Sequence, residues 1–296
     1  MNIGMIGVGL MGHGIATNLQ KHGHRLCLLE HGGNQPLETL LAGGATTRAT
    51  PRDVAAESDL VILCVTGTPQ VEAVVLGANG VLEGLRRDEI VIDCSTAVPT
   101  STQRVAAAVH DAGGRFLDAP MTRTPKEAAE GRLNLLVGGE RDVFEQCLPV
   151  LRCFAENITH VGPVASGHRM KLLHNFVSLG TIALLSEAAA CALDAAIAPQ
   201  VFIEVLASGG GGGTALKRLA PYLVGGDSSG LRFAMGNARK DLGYYHTMAE
   251  DAGAARSIAA AVLQTFAGAV DETGPDRFVP ELVALLQHAR RDNDRA

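Results

Sequence analysis

An apolar run over residues 3–8 leads into Gly7-Val8-Gly9-Leu10-Met11-Gly12, and an apolar-periodic segment through Ala16 and Leu19 follows at once. Few architectures accommodate a strand that turns on glycines straight into a helix. The first glycine permits the tight turn, the second lets backbone approach a ligand, and the third allows close helix packing. The helix start then offers N–H groups and the positive end of its dipole to a phosphate. The motif predicts the pyrophosphate turn of a dinucleotide site, with Gly7, Gly9, Leu10, Met11 and Gly12 against the cofactor.

Glu30 closes the second apolar run. A carboxylate there accepts from both hydroxyls of an adenosine ribose and repels a 2′-phosphate. The residues that follow, His31-Gly32-Gly33, bring no arginine to clamp that phosphate. NAD is therefore expected rather than NADP, with Glu30 and His31 beside the ribose.

Short apolar runs at residues 3–8, 25–30, 60–65, 90–94, 115–118 and 133–137 alternate with helix-like segments. Such alternation predicts an α/β domain with a mostly parallel sheet. Beyond Gly162 the residues follow helical spacing to Ala296, with no convincing strand. The fold class expected is α/β: an N-terminal Rossmann-type doubly wound sheet over residues 1–162, and an all-helical C-terminal domain over residues 163–296. A long helix at about residues 168–197 would join them, and the glycine run 209–213 reads as a loop between helices.

With 25 basic against 31 acidic residues, a net charge of −6 gives no electrostatic support for a nucleic acid or an anionic membrane as partner. The six cysteines form no Cys-x-x-Cys pair and read as buried thiols of a reducing compartment. Glycines break the N-terminal apolar stretch, unlike a signal peptide, and Glu187 and Asp194 interrupt the apolar stretch 176–198. A cytoplasmic protein is expected. No histidine set has convincing metal spacing, so no metal is called for.

Four further motifs follow the glycine turn in order: Asp93-Cys-Ser-Thr-Ala-Val-Pro99, Asp118-Ala-Pro-Met-Thr-Arg-Thr124, Gly167-His-Arg-Met-Lys-Leu-Leu-His-Asn175 and Lys240-Asp-Leu242. This set resembles the β-hydroxyacid dehydrogenase family, which includes 3-hydroxyisobutyrate dehydrogenases and tartronate semialdehyde reductases, and the resemblance covers nearly the whole chain. It implies oxidation of a small anionic hydroxy acid, or reduction of its aldehyde or keto form, by a homodimer or homotetramer. It implies Lys171 as the catalytic lysine, giving a proton to the carbonyl oxygen in reduction and removing one in oxidation. Asn175 lies one helical turn on and would orient the amine or the substrate hydroxyl. Val65, Thr66, Thr96 and Lys240 are implied around the cofactor.

Two departures bear on the substrate. Where the family commonly has Ser-Gly-Gly, this chain has Thr122-Arg123-Thr124. Loss of both glycines leaves the close backbone approach in doubt, while Arg123 offers a planar fork suited to a carboxylate or sulfonate. This Arg-Thr pair is similar to the sulfolactaldehyde reductase branch. His174 replaces a usual Asn, and with Ser178 it is expected to complete an anion pocket together with Thr122, Arg123 and Thr124. The alternative readings are an imine reductase, which commonly carries Asp or Tyr at the position of Lys171, and a non-catalytic NAD(H)-sensing protein.

Overall fold

The computed structural model of the chain describes residues 1–293, with side chains through Gln287. It divides into two compact units, Met1–Lys171 and Leu172–Ala296.

The first unit holds nine strands: β1 (Asn2–Ile6), β2 (Arg25–Leu29), β3 (Thr46–Arg48), β4 (Leu60–Leu63), β5 (Ile90–Asp93), β6 (Arg115–Asp118), β7 (Met121–Thr122), β8 (Leu133–Gly138) and β9 (Ala155–Gly162). Their order is β3-β2-β1-β4-β5-β6-β8-β7, with β9 along β8. β1 to β6 pair in parallel, and β8 runs antiparallel to β6 and β7. The order reverses between β1 and β4, the point at which open α/β sheets bind ligands beyond the carboxyl ends of their strands.

Alternate residues of the central strands feed separate cores on the two faces. Ile3, Met5, Leu28 and Ile62 pack in one, while Ile6, Leu29, Val61 and Leu63 pack in the other. A sheet covered on both sides makes its strands apolar throughout, which is why these runs stand out in the sequence. The expected runs overshoot their strand ends or meet them, except that 133–137 stops one residue short of Gly138; β1 stops at Ile6, and Gly7 takes φ 95°. Strands β3, β7 and β9 were not expected. They are short or polar, and β9 leaves Glu156, Asn157 and Thr159 exposed.

The second unit is helical, and among the described residues its one β feature is an isolated bridge between Ala234 and Phe278. Residues 294–296, included in the helical expectation, lie outside the described residues. The core gathers Leu179, Ile182, Leu219, Phe266, Val279 and Leu282. The glycine run separates helices Pro199–Ser208 and Thr214–Gly225, as expected.

The helix Ser166–Asp194 is long and apolar enough to cross a membrane by length and composition, and it places Leu179, Ile182 and Leu185 in the helical core. It ends three residues before the expected Ile197. Ala196 adopts φ 57°, and the N–H of Ile197 turns back to the Ala192 carbonyl, closing the helix in the manner usually left to glycine. The cysteines are all free thiols, but the expectation of uniform burial fails, because Cys191 is exposed on this helix and Cys64 is half-buried.

Candidate active site

The glycine turn fits a dinucleotide. A Cβ on Gly7 would lie 2.3 Å from the Cys64 carbonyl oxygen, and one on Gly12 would lie 2.0 Å from that of Gly7, so both positions are closed to any side chain. Gly9 meets nothing nearer than the Gly33 carbonyl at 3.9 Å. It starts the helix Leu10–Lys21 without a side-chain cap, and Leu10 beside it is 66% exposed. Open space therefore faces a helix start whose N–H groups suit a pyrophosphate. Asn34 braces the turn: its Oδ1 accepts from Val8 N (3.2 Å) and its Nδ2 donates to the Leu29 carbonyl (2.9 Å).

Glu30 is exposed just past β2, and its carboxylate accepts a hydrogen bond from Thr47 Oγ1 at 2.6 Å. Thr47 lies on β3, so the unexpected strand positions the expected residue. Arg48, next along β3, is bound through Nε and Nη2 to both carboxylate oxygens of Glu57 at 2.6 Å. His31 is exposed, and its Nδ1 accepts from Gly33 N (3.0 Å), curling the loop on itself.

Beyond β4 and β5, Val65 N donates to Ser95 Oγ (3.0 Å), joining the Val65-Thr66 and Ser95-Thr96 turns. Ser95 N donates in turn to Asp93 Oδ1 (2.9 Å). Thr66 is exposed and Thr96 half-buried. Burial, aided by the nearby Asp93 charge, pushes the Cys64 thiol up to about 12. Burial also raises Cys94 well above the usual thiol range, so both are neutral neighbours of these turns.

Arg123 keeps a glycine-like backbone, with φ 82°. A residue with a Cβ thus holds a left-handed backbone that is usually left to glycine. Its guanidinium donates through Nη1 to Glu156 of β9 and to the Arg132 carbonyl. Thr124 begins the helix Pro125–Ala129 in a capping box, its N–H donating to Glu127 Oε2 at 3.0 Å, and Thr122 Oγ1 accepts from Asn134 Nδ2 at 3.1 Å.

Asp118, at the end of β6, holds the start of the long helix. Its two carboxylate oxygens accept from Ala165 N (2.7 Å) and His168 N (2.8 Å). Burial raises its carboxyl above the usual range, opposed by His168 and by these two N–H groups. Gly167 has no room for a Cβ, which would lie 2.4 Å from the Leu136 carbonyl. Lys171 follows, half-buried, one turn beyond this anchor.

Within the helical unit, Asn175 is buried and donates through Nδ2 to Asp241 Oδ2 (2.6 Å). Its Oδ1 accepts from His174 Nδ1 (3.0 Å), and Lys240 Nζ lies 3.2 Å from Asp241 Oδ1. His174 is exposed and Ser178 half-buried. Asp241, read from sequence only through its motif, is thus the acceptor that fixes the Asn175 amide. Asn34, Thr47, Ser95 and Asp118 were likewise not singled out, because their roles rest on partners distant in sequence.

Residues 2–162 match the family model of the NAD binding domain of 6-phosphogluconate dehydrogenase, and residues 165–286 match that of NAD-binding of NADP-dependent 3-hydroxyisobutyrate dehydrogenase. The chain is 35% identical to the 2-hydroxy-3-oxopropionate reductase of Escherichia coli over 71% of both chains. It is 32% identical to the 3-sulfolactaldehyde reductase of the same organism, over 81% of this chain and 80% of that one. Among solved structures, a Mycobacterium tuberculosis 3-hydroxyisobutyrate dehydrogenase solved with L-serine shares the fold, with a TM-score of 0.86 at 24% identity over 97% of this chain and 99% of that chain.

Proposed function

Because the chain belongs to the β-hydroxyacid dehydrogenase family of NAD(P)-binding oxidoreductases, we propose that it interconverts a small anionic hydroxy acid and its aldehyde or keto form, using NAD in preference to NADP. The substrate class is a short acid with one terminal carboxylate or sulfonate, of the 3-hydroxyisobutyrate, tartronate semialdehyde or sulfolactaldehyde type. The observation that carries the reading is the half-buried Lys171, set one turn beyond a helix start that Asp118 anchors.

A bound nicotinamide supplies or accepts the hydride. The Lys171 ammonium gives the proton that the carbonyl oxygen takes up in reduction, and its neutral amine takes that proton back in oxidation. Asn175, held by Asp241 and His174, orients the amine or the hydroxyl. Glu30 supports NAD: its carboxylate is fixed by Thr47, and the neighbouring Arg48 is already engaged by Glu57 rather than placed for a 2′-phosphate. Arg123 grips the substrate anion through the part of its fork that Glu156 does not use, since both observed contacts run through Nη1. Thr122, Thr124, His174 and Ser178 complete recognition. The enzyme works in the cytoplasm as a homodimer or homotetramer.

The test is NADH and NADPH consumption with matched carboxylate, sulfonate and phosphonate aldehydes. Turnover of at least one carboxylate or sulfonate with NADH is expected, together with its loss in Lys171→Ala while NADH still binds. Near-full turnover in that variant, or a clear preference for NADPH, overturns the corresponding part of the reading.

A further inference from the structure

His168 is fully buried, and no step described above uses it. Its Nε2 lies 3.1 Å from the Ser95 carbonyl oxygen, and its Nδ1 lies 2.8 Å from Thr102 Oγ1. Two aspartates flank the ring, Asp93 Oδ2 at 3.9 Å from Nε2 and Asp118 Oδ2 at 3.9 Å from Nδ1, and both side chains are 1% exposed or less. Asp93 Oδ2 is buried and has no hydrogen-bond partner.

Hydrogen-bond accounting restricts the protons. A carbonyl only accepts, so Nε2 carries a hydrogen. At Nδ1 the Thr102 hydroxyl has one proton, and it has the Val98 carbonyl at 3.2 Å as an alternative acceptor, which frees its oxygen to accept from Nδ1. Hydrogen bonding thus allows a proton on Nδ1, and charge accounting favours it. Among the described residues, His168 is the side chain of opposite sign that comes within 4 Å of either aspartate. The nearby thiols of Cys64 and Cys94 are neutral, so they offset nothing. Two buried carboxylates beside an uncharged ring would leave two uncompensated charges in a dry site, against one beside an imidazolium, and each such charge is costly.

We propose that His168 is a doubly protonated positioning residue, an imidazolium clamped between Asp93 and Asp118 that ties the Ser95-Thr96 turn to the first turn of the helix carrying Lys171. The clamp joins the carboxyl ends of β5 and β6 to the start of that helix, all within the first unit. It sets where Lys171 stands relative to Thr96, and in this respect it rests on the function proposed above. Its charge state does not.

The experiment combines nitrogen NMR of the His168 ring in the whole protein with unfolding and kinetics of His168→Gln, Asp93→Asn and the double variant. Both ring nitrogens should carry a proton at neutral pH, the pattern that the Ser95 carbonyl and the Thr102 hydroxyl can both accept. His168→Gln should be destabilised, and adding Asp93→Asn should restore part of that loss, because the stranded charge is then gone. In a working assay His168→Gln should lower kcat by about 10²-fold with little change in KM for NADH, the size expected when a reacting group is displaced by about 1 Å. A neutral ring, strictly additive losses, or a kcat equal to the parent's overturns the proposal. If no hydroxy acid or aldehyde is turned over even by the parent protein, the substrate reading fails, while the NMR and unfolding results still decide the clamp.

Discussion

Asn175 Nδ2 donates to Asp241 Oδ2 at 2.6 Å, joining the long helix to the helix Met235–Asp251 inside the helical unit. With His174 Nδ1 donating to its Oδ1, Asn175 has a single satisfied amide orientation. Asp241→Ala removes the acceptor and lets the amide rotate, so kcat is expected to fall by roughly 10- to 100-fold, with a smaller change in KM. Asp241→Asn, which keeps one acceptor oxygen, should lose less. Steady-state kinetics of both variants provide the check, and equal losses in kcat would show that charge rather than orientation matters.

Arg123 and Glu156 form a partly exposed pair, their side chains 26% and 48% accessible, so solvent screens the pairing and it contributes little to stability. An anionic substrate competes for the same guanidinium. Arg123→Ala should raise KM for the anionic substrate by about 10- to 100-fold, the size of a lost charge-assisted bond. Glu156→Gln should lower KM by a few-fold, since the arginine is no longer partly neutralised. A neutral aldehyde analogue should respond to neither change. If it responds as strongly as the anion does, Arg123 does not recognise substrate.

That second partner shows where sequence reading stops. The central strands and the glycine turn were legible because a doubly covered sheet needs continuous apolar runs and because Gly7 and Gly12 have no space for side chains. Strand β9 was not legible: its exposed Glu156, Asn157 and Thr159 carry no apolar signal, and without β9 the partner of Arg123 was invisible. His168 met the same limit, since Ser95, Thr102 and Asp118 reach it only after three separate strand and helix ends converge. Motifs singled out Lys171, Asn175 and Lys240 as candidates, but the contact of Asp241 with the Asn175 amide required the fold.

Ala165 adopts φ 72° while fully buried, and its N–H is the one that Asp118 Oδ1 captures at 2.7 Å. A Cβ in the left-handed region costs about 1–2 kcal/mol. Loss of one buried methyl gives back about 0.8 kcal/mol. Ala165→Gly is therefore expected to be as stable as the parent or up to about 1 kcal/mol more so in denaturant unfolding, and Ala165→Val to be clearly less stable. A markedly destabilised glycine variant would mean that the Ala165 methyl packs better than its backbone suffers.

Glu89 offers the clearest pH dependence. Its side chain is 2% exposed, Oε1 has no partner, and Oε2 accepts from Arg86 N at 2.9 Å. Burial pushes its carboxyl up, against the pull of the Arg86 N–H and guanidinium. A carboxyl raised in the folded state contributes stability that is fully present below its unfolded value, about 4.3, and lost as pH rises through the folded value. Glu89→Gln keeps an oxygen for the Arg86 N–H and has no charge to bury. The Arg86 guanidinium is 3.6 Å away and half-exposed, so its loss as a partner costs little. The variant should therefore be more stable than the parent near pH 7, with the difference shrinking as pH falls toward about 4. Urea unfolding at the two pH values measures it, and a parent that is the more stable at neutral pH would show that pairing with Arg86 outweighs burial.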